Sequence, residues 1–331
     1  MPVRRIALCL GRQVSRAARR LLTAPPSAAI LAYHRVANVP TDPQQLCVSP
    51  DHFAQHLEVL CQQWPVLPLS RLCTGVDRAH RMSRGVGRIG VVLTFDDGYA
   101  DNLHNAKPLL EKYAVPATVF VTTGNMLKGS TFWWDRAESL ILGAGPVPET
   151  LMLSIQGCDH FWRTATPEER WQAYADVLRS LLQCSAQQIE ATLMGLEHWR
   201  GVVTADLAHR RLQVTKVQQL AEGGLVEIGA HTVSHVNLVV QSPECQLSEI
   251  NQSKTDLEKV LGKPVTSFSY PFGYTDDTIC QIVQNAGFKL ACAIGGGVVR
   301  RGADPFRLGR LLVRDWDGDM FAHKLHDYSI R

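Results

Sequence analysis

Seven short apolar runs, at about 28–33, 89–95, 115–122, 225–230, 265–270, 289–294 and 307–313, punctuate this chain, and helical patterns separate most of them. After Ser49 or Asp51 as cap, Phe53, Leu57, Leu60 and Cys61 recur on one helical face. Residues 102–113, 244–261 and 275–286 behave alike, with Ile250, Leu257, Val260 and Leu261 inward in the second of these stretches. Such alternation predicts a parallel sheet with helices outside it. Closed into an α/β barrel, the sheet gathers the carboxyl ends of all its strands on one face, where such folds keep their chemistry. His34, Asp96, Asp97, His231, Tyr270-Pro271 and Asp315-Trp316 stand at or just past those ends. The alternation breaks over 126–214, where Gly143–Pro148 marks a loop, Thr166-Pro167 a helix start, and 168–183 and 186–199 two helices. This segment reads as a helical cap inserted between the third and fourth strands. No internal repeat or low-complexity tract is present.

Two strand ends carry unusual chemistry. Asp96 and Asp97 close the run Ile89–Phe95 and precede Gly98. Successive strand residues point to opposite faces, so two adjacent acids there cannot both be solvent-face residues of a regular sheet. They read either as an Asp-Asp-Gly turn or as a pair that moves protons or holds a metal. The run Leu225–Ala230 ends in His231-Thr232-Val233-Ser234-His235, whose two histidines lie about one helical turn apart. An isolated HxxxH also describes two surface histidines. Together, however, the clusters offer two imidazoles and a carboxylate with a second carboxylate left over, the composition of an open zinc-type site plus a base.

A third cluster, Phe268-Ser269-Tyr270-Pro271-Phe272-Gly273, closes the run that begins at Val265. With it, the chain resembles the polysaccharide deacetylases, the NodB-homology group of carbohydrate esterase family 4. TFDDG matches that family's first motif, HTVSH its second, and YPFG the later part of its third. The resemblance covers roughly 28–125 and 215–325. Ile30–Val36, Phe132–Asp135 and Glu227–Ala230 look like the branch linked to exopolysaccharide synthesis. The family implies a distorted seven-stranded (β/α) barrel and a metal-dependent hydrolase that removes N-acetyl groups from a poly- or oligosaccharide. It implies Asp97, His231 and His235 as metal ligands, Asp96 as general base and the Phe272 backbone N–H as oxyanion donor. Zinc is the expected ion, although two histidines and a carboxylate also accept cobalt, nickel or iron. His34, Tyr270, Pro271, Trp316 and Trp133 are expected to line the substrate path. The Trp133 cluster is either a sugar-stacking platform or a pin that holds the insertion to the barrel.

The chain departs from the family pattern in two places. Ser269 stands where an arginine usually orients the base, leaving Arg310, Arg314 or Arg35 for that task. Arg314-Asp315-Trp316 resembles the fourth motif, and Leu325-His326 is the nearest match to the fifth, which makes His326 the family-derived general acid. His34 or a solvent proton is the alternative. Other function readings keep the site but change the amide, to peptidoglycan or a non-sugar amide, or keep the fold as an inactive carbohydrate-binding scaffold.

The net charge of +3 is too small to suggest a nucleic-acid partner, but seven arginines precede the first acid, Asp42. Residues 1–27 form a basic amphipathic segment able to touch an anionic membrane surface. The apolar stretch Ile6–Leu10 stops at Arg12, too short for a signal-peptide core or a membrane span. The nine cysteines include no CxxC pair and suggest a reducing, cytoplasmic setting. The barrel is expected over 28–325, with a short tail at 326–331.

Overall fold

The computed structural model describes residues 26–73, 89–124, 126, 130–202 and 211–330. The amphipathic segment expected at 1–27 lies almost entirely outside the described residues. Seven parallel strands form the scaffold: β1 (Pro26–Tyr33), β2 (Gly90–Phe95), β3 (Ala117–Val121), β4 (Val226–Ala230), β5 (Ser267–Ser269), β6 (Leu290–Cys292) and β7 (Leu311–Leu312). Each falls in one of the seven apolar runs. β1 pairs with β2 from Ala28↔Gly90 to Tyr33↔Phe95, and β2–β3, β3–β4, β4–β5 and β5–β6 follow in order. The sheet curls, and residues 308–313 bridge its two edges. Leu308 exchanges backbone hydrogen bonds with Ala291 and Ala293, while β7 pairs with β1 and the Val313 N–H donates to the Ala32 carbonyl. All seven carboxyl ends therefore face one way.

The curl divides the core in two. Ala28, Ile30, Val92, Phe120, Leu290, Cys292 and Leu308 form a smaller inner cluster. Their odd-numbered neighbours in β1 and β2, such as Leu31, Tyr33, Leu93 and Phe95, join the larger cluster under the helices. Each fully buried Leu or Phe contributes ~1.5–3 kcal/mol relative to exposure. Strands buried on both faces read as continuous apolar runs, which is why they were visible in the sequence.

The outer helices are α1 (Pro50–Gln63), α2 (Lys107–Tyr113), α3 (Trp133–Ile141), α4 (Pro167–Leu181), α5 (Ala186–Arg200), α6 (Val214–Ala221), α7 (Pro243–Leu261), α8 (Asp277–Asn285) and α9 (Gly318–Ile330). Local chemistry sets their ends. The Ser49 hydroxyl caps α1 and Ser242 caps α7, each followed by a proline at the first helical position. Thr166/Glu169 and Ser185/Gln188 form capping boxes on α4 and α5. The helix expected over 102–113 is instead a π-type turn, Asn102–Ala106, leading into α2. Pro108 has no N–H with which to continue an i→i−4 ladder back into that turn.

Two further expectations are corrected. The segment between β3 and β4 is not wholly helical: it contains an antiparallel hairpin, Thr150–Ile155 with Cys158–Arg163. Gln156 and Gly157, both at positive φ, make its two-residue turn, and Leu151, Leu153 and Ile155 alternate inward. The boundary placed at residue 326 falls inside α9, which continues to Ile330. No helix among the described residues is long and apolar enough to cross a membrane.

Candidate active site

Asp96 and Asp97 leave β2 through a turn that separates their side chains. Asp97 has φ 73° and Gly98 φ 83°. A Cβ on Gly98 would also stand 3.1 Å from Val121, so glycine satisfies both the conformation and the close approach. Asp96 points into the barrel, where Arg310 holds it with two parallel bonds, Nη1 to Oδ1 at 2.8 Å and Nη2 to Oδ2 at 2.7 Å. Arg310 is fully buried and also donates to Thr94 Oγ1, Ser269 Oγ and the Ala293 carbonyl. Of the three candidate arginines for orienting the base, it is Arg310 that reaches Asp96. Arg35 pairs with Asp101 at 2.9 Å, and Arg314 donates to the carbonyls of Gln44 and Gln45. Ser269, in the place of the family's arginine, leaves room for a guanidinium arriving from the start of β7. Burial alone would raise the Asp96 pKa, but Arg310 and then His231 outweigh it and hold the carboxylate below its usual range.

Asp97 turns the other way. Its Oδ1 lies 3.4 Å from His231 Nε2 and 3.1 Å from His235 Nε2, and the three ligand atoms fall within 4.8 Å of one another. The histidines do not meet on a helix. His231 follows β4, its N–H bonded to the Val121 carbonyl, and the chain then loops through Thr232 at φ 63° to His235 at φ 55°. Glu249 of α7 accepts the N–H groups of Val233 and Ser234 at 2.9 and 2.8 Å, and Thr232 Oγ1 accepts that of His235. Backbone in the left-handed region persists only where its surroundings over-determine it. Glu249→Ala is therefore expected to weaken metal retention and to cost ~1–3 kcal/mol, since it leaves two amide donors without an acceptor. Metal titration and denaturant unfolding of the variant check both effects.

The donor set fits a divalent cation. Zinc ligands at about 2.0–2.2 Å and tetrahedral angles stand roughly 3.3–3.6 Å apart; His231 Nε2, 3.4 Å from Asp97 Oδ1, meets that spacing, and His235 Nε2, at 3.1 Å, falls slightly inside it. His231 donates Nδ1–H to the Ser269 carbonyl at 2.7 Å, which leaves the Nε2 lone pair facing Asp97. The His235 ring lies 4.6 Å from Trp134 and 4.8 Å from Phe272, and its buried Nδ1 has no partner among the described residues. Burial would raise the Asp97 pKa, but the two histidines reverse this and keep it well below the ordinary carboxylate value. Burial lowers both imidazoles. Asp96 and Asp97 overcome it at His231, which ends above the usual value, whereas His235 ends below.

These groups open into a cavity of about 190 Å³ walled by His34, Leu46, Trp134, Phe272, Ile294 and Arg314. Trp134 Nε1–H donates to the Tyr99 hydroxyl at 2.8 Å, and that hydroxyl donates to Asp135 at 2.9 Å. Burial, ahead of all other causes, pushes the Asp135 carboxyl up to about 8. His34 lies beside both acids and makes no side-chain hydrogen bond among the described residues. Burial lowers its pKa against the pull of Asp97 and Asp96. Phe272 is in the left-handed region at φ 59°, in a turn closed by the N–H groups of Gly273 and Tyr274.

Several sequence-derived site residues lie elsewhere. His326 is on the exposed face of α9 beside Asp327, far too solvated for a general acid working in the cavity. Tyr270 is fully buried and donates its hydroxyl to the Phe306 carbonyl, while Pro271 is buried beneath the Phe272 turn. Trp316 packs against the core and accepts a bond from His56 Nε2 at its carbonyl. Trp133 is 7% exposed and lines a neighbouring cleft, so it offers no ring face to the cavity. Leu46, Ile294 and Glu249 carried no sequence signal, because only the fold brings their loops and helix to the mouth.

A profile of the family described as polysaccharide deacetylase matches residues 84–144 and 166–291, more than half of the chain. The chain belongs to this family. The putative polysaccharide deacetylase YxkH of Bacillus subtilis (strain 168) is 19% identical to this deacetylase-family chain over 224 residues, 67% of the chain. The match spans only 51% of that relative's own length. Among solved structures, the Streptococcus pyogenes deacetylase PplD, in complex with acetate, aligns with a TM-score of 0.59 at 20% identity, covering 92% of this chain and 99% of that one. IcaB from Ammonifex degensii gives 0.59 at 18% identity, covering 93% and 99%. Both likenesses concern the fold.

Proposed function

We propose that this chain is a metal-dependent hydrolase that removes N-acetyl groups from sugar residues of a poly- or oligosaccharide. The observation that carries the reading is the convergence of Asp97, His231 and His235 on one point beside an Arg310-bound Asp96, in an open cavity. A divalent metal held by those three residues, zinc by preference, supplies an acidified water and a polarised carbonyl. Asp96, kept anionic, accepts the proton of the water that attacks the acetyl carbon. The Phe272 N–H donates to the oxyanion that forms there. As the C–N bond breaks, the proton taken up by Asp96 passes to the leaving nitrogen by way of His34, whose imidazole is kept neutral by burial and able to relay it, in the place that the exposed His326 cannot fill. Acetate and a free amine result. His34→Asn is expected to lower kcat by roughly 10²–10⁴, the usual worth of a positioned acid, while leaving metal content intact.

The family assignment and the resemblance of Ile30–Val36 and Phe132–Asp135 to the exopolysaccharide branch favour a glycan made during exopolysaccharide or lipid-linked assembly. A cytoplasmic setting, with residues 1–27 against an anionic membrane face, accords with Cys47, Cys61, Cys158, Cys184, Cys245 and Cys280 standing outside any disulfide. Acetate release from N-acetylglucosamine oligomers tests the reading. Metal-stripped protein should be inactive and zinc should restore it, whereas His231→Ala should bind no metal and stay inactive. Tight stoichiometric metal without acetate release would move the reading to another amide. Absence of both would leave a carbohydrate-binding scaffold.

A further inference from the structure

A second cleft of about 520 Å³ adjoins the first, with Ser130, Trp133, Arg136, Gln187, Glu190 and Arg211 in its lining. Neighbouring residues set the two back to back: Trp134 and His235 wall the first, Trp133 and Ser234 the second. Three buried atoms of the lining residues, Ser130 Oγ, Trp133 Nε1 and Arg211 Nε, have no hydrogen-bond partner among the described residues. A buried polar group left unsatisfied is destabilising, so three around one cleft call for a reason. Two of them are donors with no acceptor capacity.

The charge in the cleft points the same way. Arg211 is more than nine-tenths buried, with its guanidinium 4.0 Å above the Phe132 ring. Its terminal nitrogens reach only the carbonyls of Gly124 and Thr131, and no carboxylate pairs with it among the described residues. Arg136 sits in the wall, bonded to Glu190 at 2.7 Å and Glu197 at 2.9 Å. Ala186 and Gln187, in the first turn of α5, also line the cleft. The Glu190 and Glu197 carboxylates offset the Arg136 charge, so the Arg211 guanidinium is the cation of this cleft without a carboxylate among the described residues, and its complement is a group with negative oxygens.

We propose that this cleft is a subsite for an oxyanion carried by the glycan, the carboxylate of an acidic sugar or a phosphate, next to the N-acetylated residue. The inference rests on the deacetylase reading for its substrate but not for its binding. The test uses the full-length zinc-loaded protein with three probes: a neutral N-acetylglucosamine tetramer, an alternating glucuronate–N-acetylglucosamine tetrasaccharide, and an N-acetylglucosamine oligomer with a terminal phosphate. At least one charged probe should show a KM and a calorimetric Kd about tenfold below those of the neutral one, the effect of one charge-assisted hydrogen bond. The stronger charged probe identifies the source of the oxyanion. Arg136→Gln should erase the preference without changing turnover of the neutral tetramer. Gln187→Glu, an exposed change in the first turn of α5 that favours the helix, should do so with no cost in folding. Equal binding of all probes by the unaltered protein, or a preference that survives both substitutions, would overturn the proposal. If no probe loses acetate but charged probes still bind in a manner sensitive to both substitutions, the subsite stands and the deacetylase reading falls.

Discussion

Replacing Arg310 with methionine should cost about 3–5 kcal/mol of stability, the usual penalty for removing one partner of a buried ion pair. The carboxylate of Asp96 would remain where the fold puts it, 3% exposed, with the Ser269 hydroxyl at 3.4 Å as its remaining side-chain hydrogen-bond partner among the described residues. Methionine fills much of the volume, so the loss is one of charge and hydrogen bonding rather than of a cavity. In the unaltered protein Asp96 titrates below its unfolded value, so its contribution is present above the unfolded carboxylate pKa and is lost as pH falls through the folded one. Without Arg310, burial prevails and the Asp96 pKa rises. The acid midpoint of unfolding and the acid limb of the pH–rate profile should both move to higher pH. Arg310→Lys should lie between the two, because a single ammonium keeps the charge but not the two parallel bonds. Denaturant unfolding at neutral pH with a pH–rate series is the measurement. An acid limb that does not move would refute the role given to Arg310.

Asp96→Asn should lower kcat by roughly 10²–10⁴ while the protein keeps its full complement of metal. The turn at Asp97 and Gly98 separates the two acids, with Asp96 on Arg310 and Asp97 on the histidine pair. An asparagine at 96 removes the proton acceptor and leaves the Asp97 ligand set untouched. The asymmetry gives the test its force. Metal content by elemental analysis should fall in Asp97→Asn and hold in Asp96→Asn. The reverse pattern would exchange the roles of the two acids.

The motifs that carry the chemistry were legible because each is local. Asp96-Asp97-Gly98 and His231–His235 terminate strands whose apolar runs are continuous, and strand ends on a parallel barrel share one mouth. The hairpin at Thr150–Arg163 left a weaker trace. Its turn is Gln156-Gly157 rather than the usual Asn-Gly or Asp-Gly pair, and its second strand, Cys158–Arg163, is exposed or half-exposed throughout. At His326 two local signals conflict: the short motif match points to a general acid, whereas the helical pattern around it keeps the ring in solvent.

By itself, the sequence determined the seven-stranded parallel scaffold, the mouth at which the acids and histidines meet, and the family to which they belong. These follow from residue patterns a few positions long, repeated at strand ends. The tertiary structure alone decided which arginine serves Asp96, which histidine shares the cavity, and on which side of the wall Trp133 lies. Those choices turn on contacts between residues more than a hundred positions apart, as for Arg310 with Asp96. No spacing in the sequence encodes them, because a buried guanidinium can approach from any strand that leaves it room, and here Ser269 leaves that room.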